Sequence, residues 1–206
     1  MSSDLTIVNA STDLVAVDEK GYEILEAEIR QAFGRVVYTH KAQEKCADHK
    51  LWWFQATRWA QTILAGLTTS GFVGVILGDP ASHRESAVCG AIASLLLTAV
   101  NLHAQGGNAM GEVDKHTATA SKLWLAREQY LSLLSDIKAR TISIDDAKKN
   151  RDSLQNKLSE IYSTAPRTNA KAYKAAQDGL KNNEEYTFSD LEIDVFLPLL
   201  LRKEQK

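Results

Sequence analysis

Two stretches of this chain contain no Asp, Glu, Lys or Arg: residues 59–78 and residues 86–111. All 24 Lys and Arg and all 26 Asp and Glu lie outside them. The chain-wide figures, 24% charged residues and a net charge of −2, therefore blend two different environments. A bilayer core of about 30 Å is spanned by about 20 mostly apolar helical residues, and both stretches are long enough. Buried core helices of a soluble bundle would also meet the length criterion, but helices of that kind usually keep a polar face. These stretches keep none.

The short link between them opens with Asp79-Pro80 after Gly78. Glycine ends helices readily and proline cannot continue one. So short a link predicts two antiparallel neighbouring helices, a transmembrane hairpin. The link holds Arg84 as its one Lys or Arg. Lys41, Lys45, Lys50 and Arg58 precede the hairpin, and Lys115 and Lys122 follow it. By the positive-inside rule both termini are expected in the cytoplasm, with the link on the far side of the membrane. Trp52, Trp53 and Trp59 fall where a membrane-interface aromatic belt would lie. The first 18 residues lack the basic n-region of a signal peptide.

Within the first span, Thr62, Gly66, Ser70, Gly74 and Gly78 recur at every fourth position. In the second, Ser86, Gly90, Ser94 and Thr98 do the same, with Asn101 nearby. Small residues at this spacing let helix backbones approach in lipid. The positions are read as hairpin or subunit packing and as candidate pore lining. They are more numerous than one helix pair needs, which favours a homo-oligomer. No charged residue lies inside either span, so a proton relay or voltage sensor is not expected.

The remainder reads as amphipathic helix. Tyr22, Leu25, Ile29, Phe33 and Val36 follow 3–4 spacing in a helix expected to run into the first span. Leu123, Tyr130 and Ile137 are seven apart in a second, with Leu134 widening the stripe. Ser143 is read as the cap of a third, with Asp146 at its third position. Leu154, Leu158, Ile161 and Tyr162 form its apolar face. After Pro166, Ala172, Tyr173, Ala176 and Leu180 mark a fourth. Ser189 and Glu192 form a capping box before an apolar patch of Phe196, Leu197, Leu199, Leu200 and Leu201. The expectation is an all-α chain: an N-terminal tail over 1–20, an amphipathic cytoplasmic helix over 21–58, the hairpin over 59–104 and a cytoplasmic helical domain over 112–206.

Near-neutral charge argues against direct nucleic-acid binding. Two cysteines, Cys46 and Cys89, make no disulfide framework. There is no Gly-rich phosphate loop, nucleophile elbow or Cys-x-x-Cys, so no enzyme and no cofactor are expected. His40, Glu44, Cys46 and His49 fall within ten residues, yet a helical zinc site usually needs ligands from a second element. They are read as packing or surface residues.

Several segments carry a family resemblance. Tyr38-Thr39-His40-Lys41-Ala42-Gln43-Glu44-Lys45 precedes the hairpin. Lys122-Leu123-Trp124-Leu125-Ala126-Arg127-Glu128, Arg151-Asp152-Ser153-Leu154 and Ile161-Tyr162-Ser163-Thr164-Ala165-Pro166 follow it. Then come Lys171-Ala172-Tyr173, Thr187-Phe188-Ser189-Asp190 and Glu192-Ile193-Asp194. Their order around a two-helix hairpin resembles the SLATT family of bacterial two-transmembrane effectors, associated with SMODS nucleotidyltransferases and SLOG nucleotide sensors. The resemblance implies a membrane effector of anti-phage conflict systems. Such effectors are thought to oligomerise and form a pore or perturb the inner membrane, causing abortive infection by cell death or dormancy. Partners it implies are a nucleotidyltransferase, a nucleotide sensor or a reverse transcriptase. The rival expectation is a non-pore scaffold that recruits such a defence enzyme to the membrane.

Overall fold

A computed structural model describes residues 3–189 and 192–193, with side chains from residue 19 onward. It contains five helices and, among the described residues, no strand. They are α1 (Ser3–Leu77), α2 (His83–Gln105), α3 (Ala109–Ala139), α4 (Ile144–Thr164) and α5 (Ala170–Lys181). α1 is uninterrupted because no proline precedes Pro80. The segment over 1–20, expected as a tail, is helical from Ser3 and continuous with the amphipathic helix. The apolar patch from Phe196 to Leu201 lies outside the described residues.

The chain divides into two compact units, one formed by residues 1–45 and 119–206 and the other by residues 46–118. α1 and α3 each contribute to both. The second unit is wider than the expected hairpin, because it takes in the end of the amphipathic part of α1 and the start of α3.

In the first unit, α1, α3 and α4 enclose one core. Leu25, Ile29 and Val36 of α1 meet Leu123, Tyr130 and Ile137 of α3 and Leu154 and Leu158 of α4, all buried. The seven-residue spacing on α3 therefore marks its inward face, with Leu133 buried beside it and Leu134 partly buried against the same core. Tyr162 and Tyr173 stay largely exposed, and α5 turns Ala172, Ala176 and Gly179 inward instead.

Local chemistry sets the helix ends. The Asp146 N–H donates to Ser143 Oγ at 3.2 Å, capping α4 as its sequence predicts. The Ala172 N–H donates to Asn169 Oδ1 at 2.8 Å, a cap on α5 that the sequence reading did not include. α3 ends at Arg140, whose φ of 56° places it in the left-handed region that usually takes glycine. Its guanidinium lies 4.0 Å from the centre of the Tyr22 ring. Tyr22 in turn donates its hydroxyl to the Ile142 carbonyl at 2.9 Å. The cation–π contact and this hydrogen bond offset the backbone strain.

The Tyr130 hydroxyl is buried with no hydrogen-bond partner among the described residues. A polar group left unpaired in a core costs about 1–3 kcal/mol. Tyr130→Phe should therefore leave stability unchanged or raise it, while Leu123→Ala should lower it by about 2–5 kcal/mol through cavity formation. Thermal melts of the full chain in detergent separate these two outcomes.

Candidate functional site

In the second unit, α1 and α2 form the expected antiparallel pair. Gly78 closes α1 by donating its N–H to the Gly74 carbonyl at 3.0 Å. Ser82 Oγ donates to the Asp79 carbonyl at 2.9 Å in the turn. At the opposite end, Gln61 Nε2 donates to Asn101 Oδ1 at 2.9 Å. Such a bond holds two helices together where water cannot compete for it.

Closest approach comes at Gly71 and Gly90. A Cβ on Gly71 would lie 2.7 Å from Gly90 Cα and 2.9 Å from the Ser86 carbonyl oxygen. Beside them Gly74 faces Ser86, whose Oγ would stand 2.8 Å from an added Cβ. The inward residues of α1 include Gln61, Leu64, Thr68, Gly71, Val75 and Gly78, a 3–4 alternation. Those of α2 are Ser86, Gly90, Ala93, Leu97, Val100 and Asn101.

The four-residue stripes divide accordingly. Gly74, Gly78, Ser86, Gly90 and Asn101 lie in or beside the hairpin contact. Thr62, Gly66, Ser70, Ser94 and Thr98 are exposed. The cause is geometric: each four-residue step advances about 40° beyond a full turn, so the stripe winds away from its partner. Gly66 has open space around it. Gly71, which the stripe omits, was readable from the 3–4 alternation of Leu64, Thr68, Gly71 and Val75.

Around this contact the helices present apolar surface outward. Ile63, Leu67, Phe72, Ile76, Leu77, Ile92, Leu95 and Leu102 are each more than half exposed. Windows of mean hydropathy 1.5 in α1 and 1.7 in α2 are 0% and 6% buried. Core helices of a soluble bundle would be covered; these are not. Trp52, Trp53 and Trp59 are also exposed, with Trp53 Nε1 donating to His49 Nε2 at 3.2 Å.

The first unit holds a polar cluster that the sequence did not disclose. Its centre is Tyr186, in the segment after α5. Tyr186 donates its hydroxyl to Glu44 Oε2 at 2.5 Å, and His40 Nδ1 lies 3.2 Å from the Tyr186 hydroxyl oxygen. Lys41 Nζ lies 4.6 Å and the Arg127 guanidinium 4.8 Å from the ring centre. Lys41 also pairs with Glu44 at 2.9 Å and with Glu185 at 2.5 Å, and Lys45 reaches Glu185 at 3.0 Å. Gln43 Nε2 donates to the Pro166 carbonyl at 3.0 Å. The Tyr38–Lys45 segment is thus a docking strip for the chain after α4 and α5. Among the described residues, no group of three or more His, Cys, Asp or Glu is placed to hold a metal.

Burial holds the His40 imidazole below its ordinary pKa, helped by Arg127 and Lys41 and opposed by Glu44. Burial pushes the Glu44 carboxyl up, but donation from Tyr186 and Lys41 outweighs it and the net shift is down. Burial and the bond to Glu44 push Tyr186 up to about 12.

Two uncovered apolar helices, closely paired and flanked by tryptophans, define a two-span helical membrane protein. The comparisons agree with that class. The profile of the SMODS and SLOG-associating 2TM effector domain family 4 matches residues 25–192, and the chain belongs to this family. It is accordingly a membrane effector of the conflict-system class. No curated protein and no solved structure matches it.

Gly71→Val should force the two helices apart, because backbone lies where its side chain would go, whereas Gly66→Val should leave the pair intact. Cross-linking of cysteines placed at Gln61 and Asn101 distinguishes the two. For the cluster, Tyr186→Phe should weaken docking of the 182–189 segment by about 1–2 kcal/mol, read as faster amide exchange there. The pH dependence follows in sign. His40 is held neutral in the folded chain, so its contribution is complete above about pH 6.5 and falls as the unfolded chain takes up a proton below that. Glu44 adds to the loss below about pH 4.5. Protection of the segment should be flat from pH 7 to 9 and fall on acidification.

Proposed function

We propose that the chain self-associates in the bacterial inner membrane through the faces that hairpin pairing leaves open. Triggered by a separate partner, the assembly forms a pore or otherwise breaches the membrane barrier, and the cell dies or becomes dormant. The observation that carries this reading is the exposure of Thr62, Gly66 and Ser70 on α1 and of Ser94 and Thr98 on α2, after the hairpin has packed. In a lone hairpin these small residues would face lipid. Against another copy they allow the close helix contacts that replace hydrophobic drive in hydrocarbon. An apolar groove of about 550 Å³, bordered by Leu67, Ser70, Cys89, Ile92 and Leu96, lies along one side of the hairpin and takes in Ser70 of this set.

Lys41, Lys45, Lys50 and Arg58 before the hairpin and Lys115 and Lys122 after it, against Arg84 in the turn, support cytoplasmic termini. A pore built from these spans would be lined by hydroxyls and glycines, with weak ion selectivity. The action is a change of assembly and not catalysis. The trigger is a protein of the nucleotidyltransferase, nucleotide-sensor or reverse-transcriptase kind, or its product, acting on the water-soluble helices.

Induction together with the cognate partner should depolarise cells, read with a potential-sensitive dye. Gly66→Leu and Ser70→Leu proteins should remain in the membrane pellet and lose most of that activity. Full depolarisation by both would overturn the proposed interface. Absence of depolarisation by the unaltered chain, with the partner still recruited to the membrane, would favour a scaffold instead.

A further inference from the structure

The open end of the hairpin encloses a cavity of about 520 Å³. Its wall combines Lys50, Trp53, Phe54 and Arg58 from α1 with Asn101 and His103 from α2. That volume lies within the usual range for small-molecule sites. Arg58 is the last charged residue before the charge-free stretch begins at Trp59. It pairs with no carboxylate among the described residues, and its guanidinium lies 5.9 Å from the Phe54 ring centre. Lys50 meets Glu112 only at 3.7 Å. Gln61 and Asn101 are already bonded to each other at the cavity's edge, so their amides mark a polar boundary above apolar helix. Exposed Leu102 and Ile63 lie next to that boundary, and exposed Trp52 and Trp59 fall at the same end of the hairpin.

We propose that this cavity binds the headgroup of an anionic phospholipid. The phosphate is held by Arg58 and Lys50, with the glycerol against Trp53 and Phe54. The acyl chains run down the apolar surface of α1 and α2. Three features select this ligand class. Two cations line the same cavity, and one of them lacks an acidic partner among the described residues. Aromatic rings line the same cavity. The adjoining surface is apolar and uncovered, which a free water-soluble anion would not need. Guanidinium is suited to phosphate because it offers paired donors in a plane, and lysine adds a point charge. A bound lipid would also fill the space beside the Gln61–Asn101 pair and exclude water from it, tying lipid charge to hairpin closure.

The test uses the full chain purified in mild detergent and native mass spectrometry with added phosphatidylglycerol or phosphatidylcholine. The unaltered chain should retain phosphatidylglycerol preferentially. Arg58→Gln and Lys50→Gln should each reduce retention by about fivefold, as expected for one basic residue at a lipid surface. Arg58→Lys should recover most of it. Lys148→Gln, on the surface of α4, should change nothing. Circular dichroism and Gln61–Asn101 cysteine cross-linking confirm that the variants keep the hairpin. Equal retention of the two lipids, or undiminished retention by the Arg58→Gln, Lys50→Gln double variant, would overturn the proposal. Displacement of the lipid by millimolar inorganic phosphate would also overturn it, because the site would then recognise phosphate without its lipid.

Discussion

Helices surrounded by lipid gain nothing from hiding apolar side chains against each other, since the surroundings are equally apolar. What holds α1 to α2 must then be contact distance and hydrogen bonding. The Gly71–Gly90 approach supplies the first and the Gln61–Asn101 bond the second. Both depend on residues too small, or too polar, to be explained by hydrophobicity. Most large side chains of the same helices point the other way, with Leu64, Val75, Leu97 and Val100 as the inward exceptions. Phe72, Ile76 and Leu95 are exposed because lipid is an adequate environment for them.

The first unit follows the opposite rule. Ile29, Val36, Leu123, Tyr130 and Ile137 are almost entirely removed from solvent, and charged residues occupy the outer faces. Here removal of apolar surface from water is the main drive. α1 passes from one regime to the other within a single helix. The change in α1 is visible in which face carries small residues and which carries large ones. Before Lys45 most large residues point inward, and after Trp59 most point outward.

The hairpin was legible because its signal is an absence, the loss of every charge over two helix-length runs. The core of the first unit was legible from periodicity, down to the three residues spaced by seven on α3. The helix-contact face was legible only in part. Counting small residues at a fixed step of four selects a stripe that winds around the helix, so Gly66 was grouped with Gly74 although one is open and the other packed. The true contact follows alternating steps of three and four, and Gly71 belongs to it. The cluster around Tyr186 was not legible at all. Its partners on α1 stand 142 and 146 residues earlier in the chain. Nothing in local spacing pairs a tyrosine after one helix with a histidine and a glutamate inside another. The Tyr38–Lys45 segment was singled out by resemblance alone, and the fold supplies its physical role.

That role differs in kind from the core. Lys41 is nearly buried, but Glu44, Lys45 and Glu185 remain accessible to water. Ion pairs of this sort are individually weak because water and salt compete for both partners. Tyr186 joins them by setting its ring against Lys41 and Arg127 and its hydroxyl on Glu44, the carboxylate that Lys41 also contacts. Removal of Lys45 or Glu185 would leave its partner in reach of water, whereas His40 and Lys41 are buried and depend on the cluster for their partners.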